Sequence, residues 1–421
     1  MKVVHFTTSD KLGGAAKASF KLHEFLTLSG MDHHLLVLRK KSNDATVTEV
    51  KPSRFSKYNV RIALEINTLL LSRYFHLTEY WSLGLARGPG LGSNEFYKSS
   101  DLLSLSWVSG LLSIKEIGKI FNSGKPVVWT LYDMWAFTGG CHYSQFCSLY
   151  EKDCIACPQL AKPFFWNISH WVWKRKVKWN LENVTIVCPS QWLALCAAKS
   201  SIFRGADIRV IPTGIDLNVF SSKGKECCRE FFSFSKSKSF ILFVADGGLM
   251  NERKGGALLE KALLELVGTM EELPELVLLG CSTVSADISC HYKMHYPQIH
   301  NEEELAQLYA ACDVTAIPSQ EENLALTVLE SMACGTPCVT FKIGGMSDVI
   351  RHKYNGYMAD PFNVHDLCSG LAWALENEGI INISENAKRT IENEFGLEQE
   401  AEQYTKLFQE KVSENNRPEG V

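Results

Sequence analysis

Short apolar runs alternate with longer helical patterns through most of this 421-residue chain, and this alternation limits its fold more than any other feature. In the first half, strands are predicted at Lys2–Phe6, His34–Leu38, Leu102–Leu105, Pro126–Leu131 and Val184–Cys188. In the second half they are predicted at Phe240–Val244, Leu276–Leu279, Val314–Ile317 and Pro337–Phe341. Helical periodicity fills the intervals at Ala15–Ser29, Gly256–Val267, Glu302–Ala311 and Leu326–Ala333. Strands that are apolar on both faces must be covered on both faces, which means parallel sheets with helices on either side. The length suits two such domains of ~200 residues each.

The predicted break lies at Ile211-Pro212-Thr213-Gly214-Ile215-Asp216, where turn residues carry no periodicity, ahead of a polar Ser/Lys-rich segment from Ser221 to Lys238. The expected division is 1–210, 211–395, and a C-terminal helix with a frayed tail over 396–421, the helix running from about Leu397 to Val412. The first apolar run, Met1-Lys2-Val3-Val4-His5-Phe6, is too short for an export signal. The stretch from Ile62 to Leu71 is broken by Glu65 and Asn67 and is too polar to span a bilayer. The expectation is a cytoplasmic protein whose cysteines are reduced. A net charge of −4 gives no reason to expect nucleic acid as a partner.

Several positions could carry chemistry. Gly13-Gly14 follows the first strand and opens a helix, which suits close backbone approach to a phosphate and suits an empty αβ turn equally well. Arg253-Lys254-Gly255 follows the strand at Phe240–Val244, placing two cations where a leaving diphosphate could be neutralised. Glu322 sits in the loop after Val314–Ile317, and Glu330 lies about two turns along the following helix. A diphosphate resting on the amides of Leu324, Ala325 and Leu326 would leave Glu330 free to accept hydrogen bonds from ribose hydroxyls. No Asp-x-Asp occurs, so no catalytic metal is expected. P-loop, G-x-G-x-x-G and G-x-S-x-G signatures are absent as well.

Cys141, Cys147, Cys154 and Cys157 form C-x5-C-x6-C-x2-C, with His142 alongside. Four cysteines so close together suit a structural zinc, and suit free or redox-active thiols as well. Phe164-Phe165-Trp166 and the run from Trp171 to Trp179 interleave tryptophan with Lys and Arg. That pattern fits an anionic membrane surface, and also a helix with a basic solvent face and a buried Trp face.

Taken together, these motifs resemble the family 4 retaining glycosyltransferases of the GT-B fold. The carriers are Glu322 and Glu330 at E-x7-E spacing, Lys254-Gly255, the hinge at Pro212–Asp216, and Gly344-Gly345. The run Trp129–Tyr143, with Asp133 inside it, is similar to the branch that builds bacterial exopolysaccharides of the colanic-acid type. The resemblance implies two Rossmann-like domains whose parallel sheets face a central cleft, the first binding acceptor and the second binding nucleotide sugar. It implies that Lys254, with Arg253, neutralises the leaving nucleoside diphosphate. Glu322 and the amides after it would position the donor, Glu330 would hold the ribose, Gly14 would present its amide across the cleft, and Asp133 would take part in catalysis. The implied donor is a nucleotide diphosphate sugar, and the implied acceptor is a glycan or lipid-diphosphate-linked sugar met at the inner face of a membrane. A non-catalytic GT-B protein that binds nucleotide sugar or scaffolds an assembly complex is the alternative. The branch usually carries His at Tyr132 and near Ser104 and Ser106, and an Arg where Ala245-Asp246 stand.

Overall fold

A computed structural model describes residues 1–50, 81–85, 94–160, 167–221, 224–245, 251–281, 284–376 and 379–417. The stretch from Ile62 to Leu71, the aromatic triplet Phe164–Trp166, Asp246 and the last four residues lie outside the described residues. The chain divides into two compact units, Met1–Pro212 with Glu400–Val421, and Thr213–Gln399. No described helix is long and apolar enough to cross a membrane.

The first unit is built on a seven-stranded sheet of order β3-β2-β1-β4-β5-β6-β7. Its strands are β1 (Lys2–Ser9), β2 (Asp32–Arg39), β3 (Val47–Glu49), β4 (Leu102–Leu105), β5 (Val127–Thr130), β6 (Val184–Cys188) and β7 (Asp207–Val210). Every adjacent pair is parallel. β4, β5 and β6 are buried along their whole length, as strands covered on both faces must be.

The helix Leu397–Asn415 returns to this unit. Its Ala401, Tyr404, Leu407 and Phe408 pack with Val3, Leu22, Leu26, Leu102, Val128, Val187 and Ile211. Inside that apolar layer the Tyr404 hydroxyl meets Thr130 Oγ1 at 2.7 Å, so each satisfies the other's buried polar atom.

The second unit has a six-stranded sheet of order β10-β9-β8-β11-β12-β13. Its strands are β8 (Phe240–Val244), β9 (Glu275–Leu279), β10 (Met294–His295), β11 (Val314–Ile317), β12 (Cys338–Phe341) and β13 (Gly356–Ala359), again all parallel. Strand order reverses between β1 and β4 in the first sheet and between β8 and β11 in the second. At such a switch point the loops leaving the carboxyl ends of the two neighbouring strands part to opposite faces, and a crevice opens between them.

Two expectations change. The segment from Ser221 to Lys238 contains the helix Lys225–Phe231, because Cys228 and Arg229 are buried: Arg229 Nε donates to Ala311 O at 3.0 Å, and its Nη2 bonds Asp313 Oδ2 at 2.6 Å. In the helix Ile168–Lys176 the buried residues are Ser169, Val172 and Lys176, while Trp171 is 40% exposed. Of the two readings of this run, the helix with a basic solvent face and a buried Trp face does not hold: Lys176 is buried, and Trp171 lies under Arg175, whose guanidinium is 4.6 Å from its ring centre.

Tyr404→Phe should destabilise the protein by about 1–2 kcal/mol, because Thr130 loses its buried partner while the packing is kept. Denaturant unfolding with an unchanged slope and a lowered midpoint would show it.

Candidate active site

The second unit brings its motifs together at the switch between β8 and β11. Residues 251–255 belong to the loop after β8, and residues 318–325 to the loop after β11. The two loops are pressed against each other and against the turn after β12. Gly255 has φ +73°, and a Cβ there would stand 1.8 Å from Pro318 O. Gly344 has φ +49°, and a Cβ there would stand 1.8 Å from Glu322 O. Only glycine meets both demands, a left-handed backbone and contact with another chain segment. Gly345 N donates to Asn323 O at 2.7 Å, and Gln320 N to Arg253 O at 2.8 Å. These contacts fix the backbone on which Glu322 rides.

The side chain of Glu322 is 11% exposed and sits between two cations. Arg253 Nη1 donates to Oε2, and also to Glu321 O at 3.2 Å. Lys254 Nζ lies 3.4 Å from Oε1 and 3.3 Å from Oε2. Burial by itself would raise the carboxyl pKa, but Lys254 and Arg253 hold it below its ordinary value, so Glu322 is ionised. Asn251 caps the 3-10 turn Glu252–Lys254 by accepting from Lys254 N at 3.3 Å, which sets the direction of both cations. Two positive charges against one negative leave the trio cationic, a suitable seat for a phosphate.

The helix Leu326–Ala333 starts with Ala325 at its N-cap, and no side chain caps it. Leu324, Ala325 and Leu326 therefore lie at the N-terminal turn, beside the loop that holds Glu322. Glu330 is one turn into this helix rather than two, because the helix starts at Leu326. Its Oε2 accepts from the Tyr309 hydroxyl at 2.8 Å. Tyr309 is fully buried, and burial followed by the Glu330 charge pushes its pKa well above the ordinary value, so the phenol stays a donor. Sequence reasoning misses this pair: Tyr309 reads as one more core aromatic, and the spacing of 21 residues gives no signal.

In the first unit Gly13, at φ +85°, is the N-cap of the helix Gly14–Leu28, and a Cβ there would meet no atom within 4 Å. The glycine thus serves the turn's backbone conformation and leaves open space above it. Asp133 is set differently from the expectation for an available catalytic carboxylate. Its Oδ2 accepts from Trp107 Nε1 at 2.7 Å and pairs with His142 Nδ1 at 2.6 Å, and its Oδ1 accepts from Trp135 N at 2.8 Å. Burial would raise this carboxyl, but His142 and these donors lower it. His142 Nε2 in turn meets Ser82 Oγ at 2.9 Å. The chain Ser82–His142–Asp133–Trp107 is not legible in the sequence, since Ser82 is 60 residues from His142.

Ser104 and Ser106 are buried, Ser104 Oγ lying 3.3 Å from His5 Nδ1 and Ser106 Oγ donating to Phe6 O at 3.4 Å. Side chains at these two places point into the sheet packing and not to an open surface. Tyr132 OH lies 3.5 Å from Ser19 Oγ, and burial raises its pKa.

Cys141, Cys147, Cys154 and Cys157 are all thiols. They line one small cavity together with Trp81. Among the described residues no three His, Cys, Asp or Glu side chains converge at metal-ligating distance, so the zinc geometry considered from the spacing is not assembled in this structure.

Residues 233–395 match the family model described as glycosyl transferases group 1. The N-acetyl-alpha-D-glucosaminyl L-malate synthase of Bacillus anthracis is 22% identical over 240 residues, which is 55% of this chain and 61% of that protein. The chain spans about half the length of the curated relatives it matches. Among solved structures, sucrose-phosphate synthase from Thermosynechococcus elongatus superposes with a TM-score of 0.68 at 14% identity, covering 98% of this chain and 99% of that one. Anabaena HepE in complex with UDP and glucose gives 0.62 at 14% identity, covering 97% and 100%. At such identities the likeness is one of fold, the two parallel-sheet α/β domains of the GT-B class.

Glu330→Ala should cost about 1–3 kcal/mol of stability by leaving the buried Tyr309 hydroxyl without an acceptor, while Glu330→Gln should cost less than half of that. Chemical denaturation of the two variants side by side checks the assignment.

Proposed function

We propose that this chain, with GT-B architecture and a group 1 glycosyl transferase segment over residues 233–395, transfers a sugar from a nucleotide diphosphate sugar to an acceptor. The observation that carries the reading is the trio Arg253–Glu322–Lys254 at the β8/β11 switch, a buried carboxylate between two part-exposed cations. A carboxylate held ionised between two cations is a placeholder for anionic charge. A diphosphate brings more negative charge than Glu322 has, and Lys254 and Arg253 can turn to it with no rearrangement of the backbone.

On this reading Lys254 and Arg253 stabilise the negative charge that builds on the leaving diphosphate as the glycosidic bond breaks. Preorganised cations in a water-poor site lower the barrier more than any other device such a centre holds. Glu322, relieved of part of its pairing, turns its carboxylate to the donor sugar. The amides of Leu324, Ala325 and Leu326 receive the phosphate at the helix start, as helix N-termini receive anions elsewhere. Glu330, steadied by Tyr309, accepts hydrogen bonds from the ribose hydroxyls. The first unit takes the acceptor.

The transfer proceeds with retention, and no metal is required for leaving-group departure because two side-chain cations take that place. HepE, a neighbour in fold, is seen with UDP and glucose, which makes UDP the first nucleotide to try. The acceptor is a growing surface polysaccharide or a lipid-diphosphate-linked glycan. Exposed Trp171, with Arg175 stacked on it, suits contact with the anionic inner face of a membrane. Asp133 acts by positioning the loop that carries His142, since its own carboxylate is already occupied.

A second reading is binding without transfer. Tyr132 favours it, because it stands where the resembled branch carries His, and a buried phenol cannot take up a proton near neutral pH as an imidazole can.

The two readings separate on a panel of UDP-, GDP- and dTDP-sugars. An enzyme releases nucleoside diphosphate only when an acceptor is added, whereas a binder never does. Lys254→Ala should lower turnover by about 10²–10³-fold in protein that is still folded, with a lowered melting temperature because Glu322 keeps only Arg253 as its cationic partner. Turnover equal to that of the parent would remove Lys254 from the site.

A further inference from the structure

The loop from Gly139 to Cys157 has almost no regular structure, a single 3-10 turn at Leu149–Glu151. Yet it is folded tightly: Gln145, Phe146, Cys154 and Ala156 all have positive φ, between 48° and 64°. Left-handed backbone at non-glycine residues persists only where surrounding contacts hold it. Two of the hydrogen bonds that hold it end on sulfur: Gly139 N donates to Cys154 Sγ at 3.1 Å and Leu149 N to Cys147 Sγ at 3.4 Å.

Cys141, Cys147, Cys154 and Cys157 all face one cavity of about 20 Å³. That is room for a single water-sized occupant. Trp81 also lines it, 6% exposed, and its indole Nε1 is buried without a hydrogen bond of good geometry while its N–H acts on the Cys157 sulfur. Near Cys141 and Cys154 lies the fully buried Lys176, whose ammonium donates to Trp135 O and to Thr138 O at 3.1 Å. Asp133 acts electrostatically on this ammonium, and Cys141 and Cys154 are near enough to do so once deprotonated. A buried cation with backbone partners favours negative charge beside it, and four neutral thiols supply none.

We propose that Cys141, Cys147, Cys154 and Cys157 close around one zinc ion that staples this loop to the first unit. Four soft sulfur donors, a one-atom cavity, amide N–H groups already on two of the sulfurs and a buried ammonium nearby are what a tetrathiolate centre needs. The thiols ring the cavity without converging on its centre. Binding turns the side chains inward and displaces four thiol protons to solvent, leaving Zn(S-Cys)₄ with a charge of 2−, which Lys176 and the N–H donors offset. The ion is structural, since four protein ligands leave no open position. It goes beyond the sugar-transfer reading and stands without it.

The full chain, expressed in zinc-supplemented medium and purified without chelator, should contain about one zinc per chain. A mercurial that caps the cysteines should release that zinc to a chromogenic chelator. Refolding with Co²⁺ in place of zinc should give thiolate-to-cobalt charge transfer and the intense visible bands of a tetrahedral centre. Cys157→Ser should lose those bands or lower Co²⁺ affinity at least tenfold. If that variant does not fold, the metal content and cobalt spectrum of the unaltered chain decide. Zinc below about a tenth per chain with no cobalt-thiolate band overturns the proposal. So does zinc that survives unchanged in Cys157→Ser, or a disulfide among these four cysteines in the native protein.

Discussion

The ion trio Arg253–Glu322–Lys254 is the interaction on which the account of the second unit depends. Burying a carboxylate is costly, and the cost is offset only when the geometry is tight and the remaining lone pairs are used. Here the geometry is imposed by backbone, since Gly255 and Gly344 let the segments around Pro318 and Glu322 approach without side chains between them. Neither glycine touches Glu322's carboxylate, yet a side chain at either would move the loop that presents it. The same arrangement explains why the site is poised. Cations held by a carboxylate are partly desolvated and oriented before any ligand arrives.

Polar chemistry in the first unit is largely turned inward. Asp133 is bonded on both oxygens, His142 bridges it to Ser82, and Ser104 and Ser106 are sealed in the sheet. Low-dielectric surroundings strengthen each of these bonds and make each one costly to leave unpaired. The result is a hydrogen-bonded framework that ties the loop after β5 to Trp107 and Ser82. Lys176 belongs to the same framework: it spans from its helix to the carbonyls of Trp135 and Thr138, with its ammonium 3.9 Å from the Trp135 ring centre, and burial brings its pKa down to about 7.

The long buried strands were legible because all-apolar runs admit few other readings. Leu102–Leu105, Val184–Cys188, Phe240–Val244 and Val314–Ile317 occupy the spans predicted for them. β3, β7, β10 and β13 were not legible. β7 is a half-exposed edge, Asp207-Ile208-Arg209-Val210, β10 is two residues long, β3 is three, and β13 opens on glycine and carries no β-branched residue. In the second unit, motif spacing located Glu322 and Lys254 but could not reveal that they bind each other, because ion pairing between residues 68 apart is a product of the sheet switch. Tyr309 on Glu330 and Ser82 on His142 escaped for the same reason. The basic aromatic helix misled because a lysine reads as solvated unless its carbonyl partners are known.

The most direct test is a crystal structure of the chain with UDP. The account predicts the diphosphate at the start of the helix Leu326–Ala333, within hydrogen-bond reach of Lys254 Nζ or the Arg253 guanidinium, with Glu330 toward the ribose. A diphosphate bound elsewhere, with both cations still closed on Glu322, would contradict it.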